Sequence, residues 1–248
     1  MKIFSFLICI SLLAASFSCS DSSAKIAAVK NVNEGFAVVE LFTSEGCSSC
    51  PPADNAVARL LNEHQNNVFV LSYHVDYWNN LGWKDIFSNA SYTQIQREYA
   101  KSFYLSSVYT PQIVVNGTEQ FVGSSENKLK AAVNNDLQQA ATATLNIEAK
   151  TNSNNIVAVS YNTNTTNASI KIALIQLHAE NKIHSGENSG ATLHHVNIVR
   201  DLKTVSGDKG NITLTLPEGL TVKDFMVIGF AQNSGDNKIT AAAEVSIN

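Results

Sequence analysis

Cys47-Ser48-Ser49-Cys50 sets two thiols two residues apart. At a helix start this spacing puts both sulfurs on one turn, where they can close into a disulfide and reopen, and helix-end N–H groups favour a thiolate. Cys47 is then the attacking nucleophile and Cys50 the resolving, more buried thiol. The plainer alternative is a permanent disulfide, although so short a ring restrains the unfolded chain little. Glu40 is the single charge in the apolar run FAVVELFT (36–43), and a lone buried carboxylate is costly unless paired, hydrated or protonated. His74, Asp76 and Trp78 stand at i, i+2 and i+4, so they share a face if their strand continues. They can wall a site, relay a proton, or form an ordinary hydrogen-bonded turn. Two sulfurs and His74 can also hold Cu(I), although no Met-rich or His-rich segment accompanies them. Farther on, Gly186-Glu187-Asn188-Ser189-Gly190 has the composition of a specialised loop, followed by His194-His195 and Arg200. Adjacent strand residues face opposite ways, so the two histidines do not share a metal. Glu187 and Arg200 are read as polar contacts to the first half of the chain.

The elements that must position these residues are legible from periodicity. Residues 36–43 and 67–75 are continuous apolar runs, the pattern of strands buried on both faces. Between them PPADNAVARLLNEH (51–64) opens with Pro and carries Ala53, Val57, Leu60 and Leu61 on one stripe, which predicts a helix and a right-handed βαβ unit. Tyr92, Ile95, Tyr99 and Phe103 predict a helical insertion over 91–104, with Ser91 as its cap. Pro111 opens a strand at 112–115, Asn116-Gly117 turns it into a hairpin, and Ser124 or Ser125 caps a helix carrying Leu129, Ala132, Val133 and Leu137. Beyond residue 139 helical periodicity stops. Seven β-rich runs follow, at 142–149, 155–161, 169–179, 193–199, 211–216, 224–232 and 239–247, and suggest an antiparallel β-sandwich.

The order β-α-β, helix, hairpin, helix, with CxxC at the first helix and a Pro before the hairpin, resembles the thioredoxin fold over roughly 35–137. More narrowly, VELFTSEGCSSCPPAD (39–54), YHVDYWNNLGWKDIFS (73–88), VYTPQIVVNG (108–117) and SGENSGATLHHVNIVR (185–200) look like a widespread secreted thioredoxin-like family of unknown function. The implied architecture is α/β: a thioredoxin-like domain with a helical insertion over 35–138, then a β-sandwich domain over 139–248. The resemblance makes Thr110-Pro111 the cis-proline loop that faces the dithiol and pairs with an extended substrate. It makes Glu40 the acidic residue that moves a proton to the resolving Cys, although Glu40 stands seven residues before Cys47 where thioredoxins have six.

Lys2 precedes an apolar run from Ile3 to Phe17, too short for a membrane span, and Ser16-Phe17-Ser18-Cys19 follows with a polar tether. This resembles a bacterial lipoprotein signal: residues 1–18 are the signal peptide, Cys19 is lipidated, and 19–34 tether the chain to a membrane of the cell envelope, facing the periplasm or exterior. Lipidation also removes the odd thiol left beside Cys47 and Cys50. The 248 residues carry 17 Lys or Arg against 21 Asp or Glu, a net charge of −4 that excludes a nucleic-acid footprint. With 44% apolar and 15% charged residues, the chain can bury a core. The expected function is an extracytoplasmic, membrane-anchored thiol–disulfide oxidoreductase whose partners are protein thiols or disulfides. It needs no metal and no cofactor besides its own dithiol. The alternatives are a redox-silent binding protein and a Cu(I)-handling protein using the same cysteines.

Overall fold

The computed structural model describes residues 34–64, 66–151, 155–165 and 167–248. The expected signal peptide, the lipidation site Cys19 and the tether up to residue 33 lie outside the described residues.

All seven residues of β1 (Ala37–Thr43) are buried, as are all seven of β2 (Val68–His74). Strands covered on both faces carry no polar alternation, hence their continuous apolar runs. They pair in parallel from Ala37↔Val68 to Thr43↔His74, with α1 (Pro51–Glu63) as the crossover. Pro51 and Pro52 occupy the first helical positions, where a missing N–H costs nothing. Below them Ala53, Val57 and Leu60 pack with Val39 and Leu41. The opposite face of the sheet is covered by α2 (Ala90–Ser102), whose Tyr92 and Tyr99 join Phe42 and Tyr73 in an aromatic layer. Asn89, and not Ser91, caps α2: its Oδ1 accepts the Ser91 N–H at 2.9 Å, so Ser91 is already inside the helix.

Antiparallel β3 (Gln112–Val115) and β4 (Glu119–Val122) form the expected hairpin, with Asn116 and Gly117 at φ 43° and 72°. Gly117 is required there twice over, because a Cβ would stand 1.9 Å from the Asn237 carbonyl oxygen. The helix α3 (Glu126–Leu137) follows; Ser125 holds its cap position, but the hydroxyl makes no capping bond.

The second half supplies β5 (Leu145–Thr151), β6 (Ile156–Thr163), β7 (Ala168–Lys182), β8 (Thr192–Val205), β9 (Lys209–Thr215), β10 (Phe225–Asn233) and β11 (Ile239–Ser246), close to the seven expected runs. Four of these extend the first sheet into one eight-stranded sheet in the order β11-β10-β7-β8-β2-β1-β3-β4. The join is a parallel contact between β2 and β8 at Ser72↔Ile198. Two side chains fasten it: Ser72 Oγ donates to the Val196 carbonyl at 2.8 Å, and Asn197 Nδ2 donates to the Val70 carbonyl at 3.1 Å. The remaining three form a sheet β5-β6-β9, which packs its apolar face on β7, β10 and β11 through Ile147, Val159, Ile172 and Val227. The result is a mixed α/β fold around a large sheet that runs without a break across residue 138. The α2 layer covers both halves, since Ala173, Ile175, Ile228 and Phe230 share its core with Phe42 and Tyr73. No helix among the described residues is long and apolar enough to cross a membrane.

Candidate functional site

Cys47 and Cys50 are joined by a disulfide with Cα atoms 5.4 Å apart, in the loop between β1 and α1. Helix α1 begins at Pro51, so Cys50 takes the capping position and Cys47 lies in the turn before it. Both cysteines are fully covered, which corrects the expectation that Cys50 is the more buried. The cover comes from both halves of the chain. On the first-half side, Ser49 Oγ lies 3.4 Å from Cys47 Sγ and 3.5 Å from the Thr110 carbonyl oxygen. The Thr110–Pro111 bond is cis, the isomer the resemblance implies. Trp78 holds this loop by donating Nε1–H to Thr110 Oγ1 at 2.8 Å.

From the second half, the β7–β8 loop closes over the dithiol. Glu187 Oε2 accepts the Ser48 N–H at 3.1 Å and the Ser48 hydroxyl at 2.7 Å, and these bonds hold its carboxyl below the usual range. Asn188 Nδ2 donates to the carbonyls of Glu45 and Cys47 at 2.8 and 3.0 Å. Ser185 Oγ anchors the loop on the Gly82 carbonyl at 2.5 Å. Arg200 lies with its guanidinium 5.2 Å from the Phe87 ring and donates to Gln176.

Glu45, two residues before Cys47, and Asp54, four after Cys50, belong to a buried charged cluster. His195 Nε2 is 3.4 Å from Glu45 Oε1, and His195 Nδ1 is 3.9 Å from Asp54 Oδ1. These are ion-pair separations, and neither ring nitrogen has a hydrogen-bond partner. Burial alone would push His195 down, but the Asp54 and Glu45 carboxylates outweigh it and raise the imidazole to about 9. Glu45 also accepts from Trp83 Nε1 at 2.8 Å and from Asn181 Nδ2 at 3.0 Å; Asp54 accepts from Thr43 Oγ1 at 3.2 Å. The His195 ring packs edge-on to His74 with centroids 4.8 Å apart. His74 Nδ1 in turn meets Asp85 Oδ2 at 2.7 Å. Burial opposes the charged form of Asp85, but His74 and the backbone N–H groups of Glu45 and Phe87 hold its carboxyl low.

The expected trio His74, Asp76 and Trp78 does not form one wall, because β2 ends at His74 and the alternation ends with it. His74 turns to Asp85, Asp76 accepts from Thr93 Oγ1 at 2.5 Å, and only Trp78 reaches the Thr110 loop. Glu40 is also elsewhere. It lies on the face of β1 turned to α2, where Oε2 accepts from Tyr99 Oη at 2.5 Å and Tyr99 Oη accepts from Gln232 Nε2 at 2.7 Å. Burial drives its carboxyl above the usual range against the pull of Lys171 and of the Tyr99 hydroxyl. The α1 side of β1 belongs to Val39 and Leu41, so Glu40 is cut off from the dithiol by the sheet itself.

The motif spacing singles out neither Glu45, Asp54 nor Asp85, and gives His195 no role beyond its place next to His194. A signal existed for two of them. Asp54 follows Cys50 by four residues, hence shares its helix face. The burial alternation Leu193, His195, with His194 exposed between them, marks His195 as the inward histidine. Two surface clefts of about 580 and 420 Å³ lie elsewhere, and no residue of the dithiol loop lines them.

A family model described as a protein of unknown function, DUF1223, matches residues 38–232. No curated protein matches. Among solved structures, protein AGR_C_4864 from Agrobacterium tumefaciens is 26% identical with a TM-score of 0.62, covering 86% of this chain and 95% of that one. HBP35 of Porphyromonas gingivalis is 16% identical with a TM-score of 0.63, covering 88% and 77%, a likeness of fold alone.

Proposed function

The chain belongs to the DUF1223 family of proteins of unknown function, and we propose that it is a thiol–disulfide oxidoreductase. The observation that carries this reading is the Cys47–Cys50 disulfide, placed between the first strand of a parallel β-α-β unit and its helix and linked through Ser49 to the Thr110 carbonyl that precedes cis-Pro111. We read residues 35–138 as a thioredoxin-like unit and 139–248 as a β-sandwich that shares its sheet. In the exchange, a thiolate attacks one sulfur of a disulfide, forming a mixed disulfide and releasing the other sulfur as thiolate. Cys47 is the sulfur that carries the substrate, since Ser49 Oγ stands beside it and reaches on to the Thr110 carbonyl, and Cys50 then closes on it. Partners are protein thiols or disulfides, with the Thr110 main chain as the strand-pairing edge. The chain works outside the cytoplasm, held to a membrane through Cys19.

Complete burial of both sulfurs favours a second reading, a redox-silent protein with a structural staple. An equilibrium titration of Cys47–Cys50 in glutathione and dithiothreitol buffers, read by alkylation and mass spectrometry, separates the two. A reversible couple between about −120 and −270 mV supports exchange, and a bond that stays oxidised below about −300 mV supports the staple. Mass spectrometry of the N-terminal peptide tests the diacylglyceryl group expected on Cys19.

A further inference from the structure

We infer that the Cys47–Cys50 pair works as an electron donor, reducing substrate disulfides, because the buried Glu45–His195–Asp54 cluster, whose two carboxylates flank the dithiol motif in the chain, opposes formation of a thiolate. The inference rests on the oxidoreductase reading and supplies its direction.

Glu45 precedes Cys47 by two residues. Asp54 follows Cys50 by four on the same helix face, with its carboxyl between Thr43 and His195. Both carboxylates are buried. Between them stands one cation, His195, so two negative charges, carried by residues that flank the dithiol motif in the chain, face one positive charge. The charges farther out do not reverse this. Asp85 and Asp76, the latter turned to Thr93, together offset His74 and Arg200, which lies across Phe87. On the solvent side Glu187 adds a further negative charge at Ser48.

The opposing influence is the start of α1, equivalent to about half a positive charge. A whole net negative charge in a buried setting outweighs it. Strong oxidants of this chemistry stabilise their reduced thiolate, and a pair denied that stabilisation holds its disulfide more firmly and is reducing. In the proposed turnover the Cys47 sulfur attacks a substrate disulfide, forming Cys47–S–S–R and releasing one substrate thiolate. Cys50 then attacks Cys47, closing the protein disulfide and releasing the second substrate thiolate. Two electrons pass to the substrate, and the two thiol protons pass to its leaving sulfurs through water. A small-molecule or protein dithiol re-reduces the pair.

The test is the pH dependence of iodoacetamide alkylation of the reduced, full-length chain; the midpoint reports thiolate formation, whereas limited access only scales the rate. The wild-type midpoint should lie above the ordinary thiol value of about 8.5. Glu45→Gln and Asp54→Asn should each lower it by about one pH unit, and His195→Gln should raise it by about as much. A tenfold change of this kind is about 1.4 kcal/mol, the effect of a unit charge roughly 12 Å away at an effective dielectric of 20. Opposite signs within one packed cluster are the decisive feature, because simple loosening of the fold moves all three the same way. Should the variants fail to fold, the wild type decides alone: a midpoint below about 7 overturns the inference. If that midpoint is low, or the variants shift together, while the pair still equilibrates with glutathione, the direction falls and the oxidoreductase reading stands. If the pair does not exchange with glutathione or dithiothreitol at all, both fall.

Discussion

Glu187 accepts two hydrogen bonds from Ser48, 3.1 Å from the backbone N–H and 2.7 Å from the hydroxyl, and so ties a loop of the second half across the dithiol of the first. Residues far apart in the chain meet there because β8 lies beside β2 in one sheet. A thiol that reaches the buried sulfurs from this side must displace the tie.

Glu187→Ala should accelerate reduction of the Cys47–Cys50 disulfide by dithiothreitol about two- to fivefold, the range expected of an exposed charged hydrogen bond. Thermal stability should change little. Unchanged reduction kinetics in the variant would mean that the loop does not gate access.

The same tie carries a pH signature. The folded Glu187 carboxyl is held below its usual value, so its contribution is present above about pH 4.3 and is lost as the pH falls through the folded value. Reduction by a phosphine, which works in acid, should accelerate below about pH 4 in the wild type and not in Glu187→Gln. Equal acceleration in both proteins would assign the effect to other groups.

His195 gives the opposite dependence. Its folded value of about 9 lies above the free value of about 6.5, so the ion pairs contribute fully below about pH 6.5 and are lost as the pH rises through about 9. Urea unfolding of the oxidised protein should show a loss of about 2–3 kcal/mol between pH 6 and 10. His195→Gln should flatten that slope. A wild-type stability that rises over this interval would show that the ring is neutral in the fold.

Glu40→Gln should leave the rate of disulfide exchange within about twofold of wild type, since a lost proton relay costs roughly a hundredfold or more. Stability at pH 7 should change by less than about 1 kcal/mol, because the amide oxygen still accepts from Tyr99 and no carboxylate is left to bury. A large drop in exchange with normal stability would return Glu40 to the mechanism.

Gly117→Ala should destabilise the protein by at least about 2 kcal/mol, through the positive φ and the clash with the Asn237 carbonyl oxygen. The exchange chemistry of the refolded protein should be unaffected. A neutral effect in thermal melts would show that the β3–β4 turn does not bear on β10 and β11.

Local patterns alone placed the secondary structure close to where it lies, because burial on both faces leaves continuous apolar runs in β1 and β2, and one-sided burial leaves stripes in α1 and α3. The same patterns placed Cys47 and Cys50 at the first helix and Thr110-Pro111 before the hairpin. The relay role that the resemblance implies for Glu40 fails on the seven-residue spacing to Cys47, because in a strand's period of two one residue of register exchanges the dithiol side of the sheet for the α2 side. What only the tertiary structure decided is the pairing of β2 with β8, and with it everything that β8 and its loop carry to the dithiol: His195 below, Glu187 and Asn188 above. Hydrophobic periodicity records whether a strand is buried, not which strand lies against it. Partners are chosen by long-range packing and by the hydrogen bonds of Ser72 and Asn197, so the charges that surround the sulfurs were not visible from the residues that neighbour them in the chain.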